Sequence, residues 1–266
     1  MDRRGFLGLL GTASMASASP AVLPMEKLSY LACKTFKNEY FSKKKEIVLT
    51  SKELSSVAHL SHKLSMTRKT VGFGNFNLLG IDEMLRVGRH HSKVGEFSKS
   101  EMDLLESLFY EKASQYGFYG EKVLTSLTDE INKKETVKVP YTGHYLYKGK
   151  PLAMYEKIHK EVGKSIILTS GVRSNVKQMD LFLRKVVRSR GNISVASRSL
   201  APAGYSYHSI GDFDVGKVGF GYRNFTSDFS KTDEYKKLID TGYIKIRYTK
   251  NNPFGVRFEP WHIKVV

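Results

Sequence analysis

Residues 212 to 215 read Asp, Phe, Asp, Val, directly after Gly211. On a strand this alternation sends Phe213 and Val215 to one face and Asp212 and Asp214 to the other. Such a segment has core on one side and polar, metal-competent chemistry on the other. It sits within "YSYHSIGDFDVG", residues 205–216, where His208 adds a further ligand-type side chain. Six extended residues span about 20 Å, so His208 and Asp214 reach one ion only if the chain turns between them. Gly211 is the residue suited to that turn.

The rest of the chain decides what surrounds this strand. Ser98 and Glu101 have capping-box spacing, and Leu105, Leu108 and Phe109 continue as an apolar stripe until Gly117. Pro151 opens a second helix carrying Leu152, Tyr155, Ile158 and Val162, stopped by Gly163. "KSIILTS", 164–170, reads as a buried strand, and Ser174 caps a third helix that ends at Gly191. A helix near 231–240 and strands at about 243–249 and 255–266 follow. Helices come first and strands mostly last, which predicts an α+β fold with a small antiparallel sheet. Residues 26–97 are weakly periodic: 52–64 reads as a short helix and "TVGFGNFN", 70–77, as a Gly-rich loop or hairpin. That region carries no assignable role. His59, His62, His90 and His91 lack acidic or cysteine companions and read as surface or packing histidines, and His144 in "TGHYLY" reads as a structural histidine, with substrate contact as the alternative.

The first residues follow a different logic. Arg3, Arg4, Phe6 and Leu7 precede a short Gly-rich apolar stretch and "ASA" at 16–18, an arrangement that resembles a twin-arginine export signal with a small-residue cleavage site. Residues 1–25 are therefore set apart as a signal, 26–97 as an N-terminal region and 98–266 as the domain that carries the chemistry. Export would place the protein in the periplasm or at the cell wall. Cys33 is the only cysteine, so no internal disulfide forms. No run approaches the ~18 apolar residues of a membrane span.

Charge constrains the partners. The formal net charge is +17, and the basic residues are spread in short groups at 42–46, 132–135 and 184–191. Such a surface attracts polyanions, an acidic wall polymer among them. Zinc-finger spacing, RNP-like motifs and basic heptads are all missing, so a specific nucleic-acid partner is not expected.

Catalytic zinc needs three protein ligands, an open position and a nearby base. His208, an aspartate at 212 or 214, and His262 supply the ligands, and Glu259 the base. Glu259 and His262 would face opposite ways on a regular strand, but Pro260 between them forces a bend. Trp261 adds an apolar wall that strengthens local electrostatics.

"SGVRS" followed by Gln178, "GYSYHSIGDFDVG" and "EPWH" together resemble the motifs of zinc D-alanyl-D-alanine carboxypeptidases of the vancomycin-resistance type, which share a core with hedgehog and lysostaphin-like domains. The resemblance covers roughly 98–266. It implies Zn2+ on His208, Asp214 and His262, with Glu259 as general base. It implies Arg173 as the cation that binds substrate and steadies the oxyanion, and Ser206, Gln178 and Trp261 as substrate contacts. The implied substrate is the D-Ala-D-Ala end of peptidoglycan stem peptides; a cross-link endopeptidase, or a metal-free wall- or nucleic-acid-binding module, is the alternative. The chain departs from the pattern in one place, with five residues between His208 and Asp214 where six are expected. Asp214 is preferred because Val215 and Gly216 follow it; Asp212 is the alternative ligand.

Overall fold

The structure, a computed structural model, describes residues 46–266; the export-signal segment and Cys33 lie outside the described residues. Helix α1 (Ser51–Val71) opens on a capping box in which the Thr50 hydroxyl accepts from the Glu53 backbone and the Glu53 carboxylate accepts from Thr50 N–H at 2.7 Å. It is longer than the helix expected at 52–64, because no breaker intervenes before Gly72, whose φ of 86° ends it. The stretch 70–77 is therefore neither loop nor hairpin but the end of α1 and a one-turn helix, α2 (Phe73–Phe76), with Phe76 buried. Helix α3 (Ile81–His90) and helix α4 (Lys99–Tyr110) follow, the latter with the Ser98/Glu101 capping box.

Strands β1 (Thr136–Lys138) and β2 (Tyr145–Tyr147) form a separate antiparallel hairpin. Helix α5 (Lys150–Val162) starts with Pro151 in its first turn and stops at Gly163. Strand β3 (Ile166–Ser170), helix α6 (Asn175–Arg188) capped by Ser174, and short helix α7 (Ile193–Ser197) come next. Strand β4 (Phe213–Lys217), helix α8 (Asp233–Asp240) and strand β5 (His262–Ile263) complete the chain. The main sheet is antiparallel in the order β3-β4-β5, so the fold is α+β with small antiparallel sheets. The strands expected at 243–249 and 255–266 shrink to β5 and one bridge, Ile246 to Ile263, because Pro253, Gly255 and Pro260 interrupt any longer ladder.

One large apolar core includes the sheet and another lies among the helices. Phe213, Val215 and Ile263 share one face with Ile166 and Leu168, packed on Tyr155, Ile158 and Val162 of α5 and Leu238 of α8. The second core joins Val57, Leu60 and Leu64 of α1, Met84 of α3 and Leu105 and Phe109 of α4 to Val176, Met179, Phe182 and Val186 of α6. This second core draws on residues from both sides of position 97: α1 covers the apolar face of α6, whose other face borders a cleft. Among the described residues, no helix is long and apolar enough to cross a membrane.

Candidate metal centre

The polar face of the main sheet carries a row of three residues. Ser170 on β3 pairs with Asp214 on β4, and Asp214 pairs with His262 on β5. A register irregularity between Leu168 and Ser170 brings Ser170 opposite Asp214. His208 joins from a 3-10 turn, Tyr207–Ser209, and Gly211, at φ 137°, turns the chain back into β4. The segment 205–216 is therefore turn first and strand second.

The row and the turn bring His208, Asp214 and His262 together, all buried, with one ligand atom from each lying within 4.8 Å of the others. His208 Nε2 lies 3.2 Å from Asp214 Oδ1, and His262 Nδ1 lies 3.4 Å from the same oxygen. The other ring nitrogen of His208, Nδ1, is 2.9 Å from the Gly171 carbonyl and donates its proton there. His208 Nε2 is then a lone pair aimed at a carboxylate oxygen, and both atoms are buried without a hydrogen-bond partner. Protonation does not relieve this, because burial, with Arg173 adding, pushes the His208 pKa down to about 4. Two acceptors held this close repel unless a cation lies between them, and a nitrogen, oxygen, nitrogen donor set suits zinc. The residues present fit that ion.

Asp212 does something else. Strand β4 starts at Phe213, so the alternation expected to set Asp212 beside Asp214 does not reach back to it. Asp212 instead lies behind His262, accepting from Nε2–H at 3.1 Å, from Val265 N–H at 2.8 Å and from two nitrogens of Arg247. Arg247 itself stacks 3.5 Å above the Tyr207 ring. This carboxylate fixes the His262 tautomer with Nδ1 facing Asp214, the arrangement that orients a metal-binding histidine. Burial alone would lower the His262 pKa, but Asp212, Glu259 and Asp214 raise it to about 9. Burial would raise that of Asp212, yet His262 and Arg247 hold it down to about 2.

Glu259 and His262 are the two ends of a turn. The His262 N–H donates to the Glu259 carbonyl at 3.1 Å, with Pro260 at the second position, where its fixed φ suits such a turn. Residues i and i+3 thereby reach one cavity: Glu259 Oε2 is 3.7 Å from His262 Nδ1. Arg173 donates to Asp214 Oδ2 at 2.6 Å and to Ser170 Oγ at 2.9 Å. These groups line a cleft of about 430 Å³, bordered also by Ser206, Gln178 and Trp261. Gln178 spends its amide N–H on the Ala201 carbonyl at 2.6 Å, while its Oε1 is buried without a partner. Trp261 packs edge-on against Phe225, ring centres 6.0 Å apart. His144 also borders the cleft, and burial, with Lys177 and Arg173, pushes its pKa down to about 4.

Sequence reasoning missed Arg247, Gly171 and Tyr248, whose ring lies 4.9 Å from that of His262. Nothing local marks Arg247, since a cation in "YIKIRYTK" reads as a solvated strand residue.

Residues 148–266 match the model of the VanY family, D-alanyl-D-alanine carboxypeptidase. The similarity to this peptidase family lies in the C-terminal part of the chain. The match takes in β3, α6, β4 and β5, and hence every residue of the cleft named above except His144. No curated protein matches the chain. Among solved structures it is similar to a vancomycin-resistance D,D-pentapeptidase, VanY, from a VanB-type cassette in complex with Zn(II), at 22% identity and TM-score 0.41, covering 50% of this chain and 78% of that one. It is also similar to the LD-carboxypeptidase LdcB, at 23% identity and TM-score 0.40, covering 59% of this chain and 70% of that one. VanYB in complex with D-alanine-D-alanine gives 23% identity and TM-score 0.37, covering 51% and 84%.

Proposed function

We propose that the protein is a zinc-dependent carboxypeptidase that removes the terminal D-alanine from D-alanyl-D-alanine ends of peptidoglycan stem peptides, exported by its twin-arginine-like N-terminus to act in the periplasm or at the wall. The observation that carries this reading is the pair of buried, partnerless acceptors His208 Nε2 and Asp214 Oδ1, with His262 Nδ1 beside them and the Glu259 carboxylate 3.7 Å from His262. His208, Asp214 and His262 would hold the ion, and zinc so held supplies a Lewis acid for a scissile carbonyl and acidifies water.

The chain's own groups do the rest. Glu259 takes the proton from the attacking water and delivers it to the departing amine. Arg173 is anchored by Ser170 and Asp214, and its Nη1 makes no hydrogen bond among the described residues. That nitrogen is the donor for the substrate carbonyl oxygen as negative charge develops on it. Asp212 keeps the His262 Nε2 protonated throughout. Trp261 and Tyr248 exclude water from the ligand cluster.

The test is release of free D-alanine from a peptide ending in D-Ala-D-Ala by the zinc-loaded protein. Glu259→Gln should lower kcat by about 10²-fold or more, the range for removal of a positioned acid–base group. A zinc-loaded wild type that releases no D-alanine, or that cuts only cross-linked dimers, contradicts the carboxypeptidase reading.

A further inference from the structure

The cleft extends well beyond the metal-binding row, and its lining changes character along the way. One wall is the face of α6 that bears Lys177, Arg184, Lys185 and Arg188. These fall at helical spacings i, i+7, i+8 and i+11, so they form one stripe about 16 Å long. Arg257 also borders the cleft, its Nε 3.9 Å from the Glu259 carboxylate. Among the described residues lining the cleft, the carboxylates are Asp214 and Glu259, both at the metal end.

Two of these cations, Arg184 and Lys177, are only partly neutralised by their neighbours. Arg184 pairs with Asp180 at 3.0 Å, but that buried carboxylate also takes Arg68 at 3.4 Å, so one negative charge faces two cations. Lys177 Nζ lies 5.8 Å from the centre of the Phe76 ring, and the same Asp180 is the carboxylate that acts on it, so this one negative charge is shared again. Burial pushes the Lys177 pKa down to about 8, with Asp180 opposing the shift and Arg173, Arg184 and Arg68 adding to it. Between stripe and metal row sits Gln178, whose Oε1 is an acceptor with no donor.

Resting on the peptidase reading, we infer that the α6 stripe is an anionic subsite, and that the substrate is an acidic peptide whose free carboxylates lie on the retained side of the scissile bond. The length decides the side. About 16 Å accommodates four to five extended residues at about 3.4 Å each, whereas a carboxypeptidase releases a single residue. The retained peptide therefore runs along α6, one of its amide N–H groups supplies the donor for Gln178 Oε1, and its carboxylates meet Lys177 and Arg188.

Two matched peptides ending in D-Ala-D-Ala test this, one with two free carboxylates two to four residues upstream, the other with both amidated. Binding to the zinc-loaded Glu259→Gln protein is measured by calorimetry, and kcat/KM with the wild type. At about 20 mM salt the acidic peptide should bind about tenfold tighter, equivalent to about 1.4 kcal/mol, as two or three partly screened pairs supply. The preference should fall below about threefold at 0.5 M salt, and likewise in the double variant Lys177→Gln, Arg188→Gln. Equal binding of the two peptides overturns the subsite, whether or not D-alanine is released. So does polyphosphate that displaces both peptides while the double variant still prefers the acidic one. Tighter binding of the acidic peptide without release of D-alanine would support the subsite and contradict the carboxypeptidase reading instead.

Discussion

Asp212→Asn separates a supporting carboxylate from a ligand. Asp212 Oδ1 accepts from Arg247, Val265 N–H and Val266 N–H, and Oδ2 accepts from Arg247 and His262. Every one of these partners is a donor, so an amide placed here sets its own NH2 against at least one of them. The cheapest escape is for the new amide to donate to His262 Nε2, which moves the imidazole proton to Nδ1, the nitrogen that faces Asp214. Metal affinity then falls, by about 10- to 100-fold for loss of such a partner. Arg247, whose side chain is 5% exposed, also loses its counter-charge. Breaking a buried pair from one side costs about 3–5 kcal/mol, or about 1–2 M in urea midpoint at an m-value near 3 kcal/mol/M. Urea unfolding of the metal-free variant and zinc competition against a chromophoric chelator read the two effects separately. Asp214→Asn should behave differently: zinc binding is abolished, and in the metal-free protein the loss of the Arg173 counter-charge is offset in part, because the new amide relieves the acceptor pair with His208. An unchanged urea midpoint together with unchanged zinc affinity in Asp212→Asn would refute the reasoning.

Gly171→Ala should weaken zinc binding at least tenfold and lower stability by about 2 kcal/mol or more, since a Cβ there runs into the Tyr145 carbonyl oxygen and displaces the Gly171 carbonyl that holds His208 Nδ1; a variant that binds zinc normally shows the carbonyl is not needed. Lys177 is charged below its pKa of about 8 and neutral above it. The kcat/KM ratio of acidic to amidated peptide should therefore decline as pH rises through about 8, and Lys177→Arg should hold it level to pH 10. A ratio that is flat in both proteins contradicts the role given to Lys177.

Local rules carried much of the fold. Ser98 and Ser174 cap the helices expected of them, and Phe213 and Val215 point into the core as alternation requires. The site was legible where its residues lie close in sequence: Glu259 and His262 meet because Pro260 turns the chain, and His208 meets β4 because Gly211 does. What was hidden depended on contacts between distant segments. The different positions of Asp212 and Asp214 follow from where β4 begins and from Arg247, which is 35 residues further along the chain. The length of α1 and its packing on α6 were equally illegible, because weak periodicity in 51–71 says nothing of the helix that covers it. The basic residues of 184–191 read as a solvated face, yet three of them line the cleft.

The most direct test of the account is zinc stoichiometry by elemental analysis of the reconstituted protein beside Glu259→Gln and His208→Ala. The account predicts one zinc per chain in the wild type and in Glu259→Gln, and none in His208→Ala. A wild type without zinc, or a His208→Ala protein that keeps it, would contradict the account.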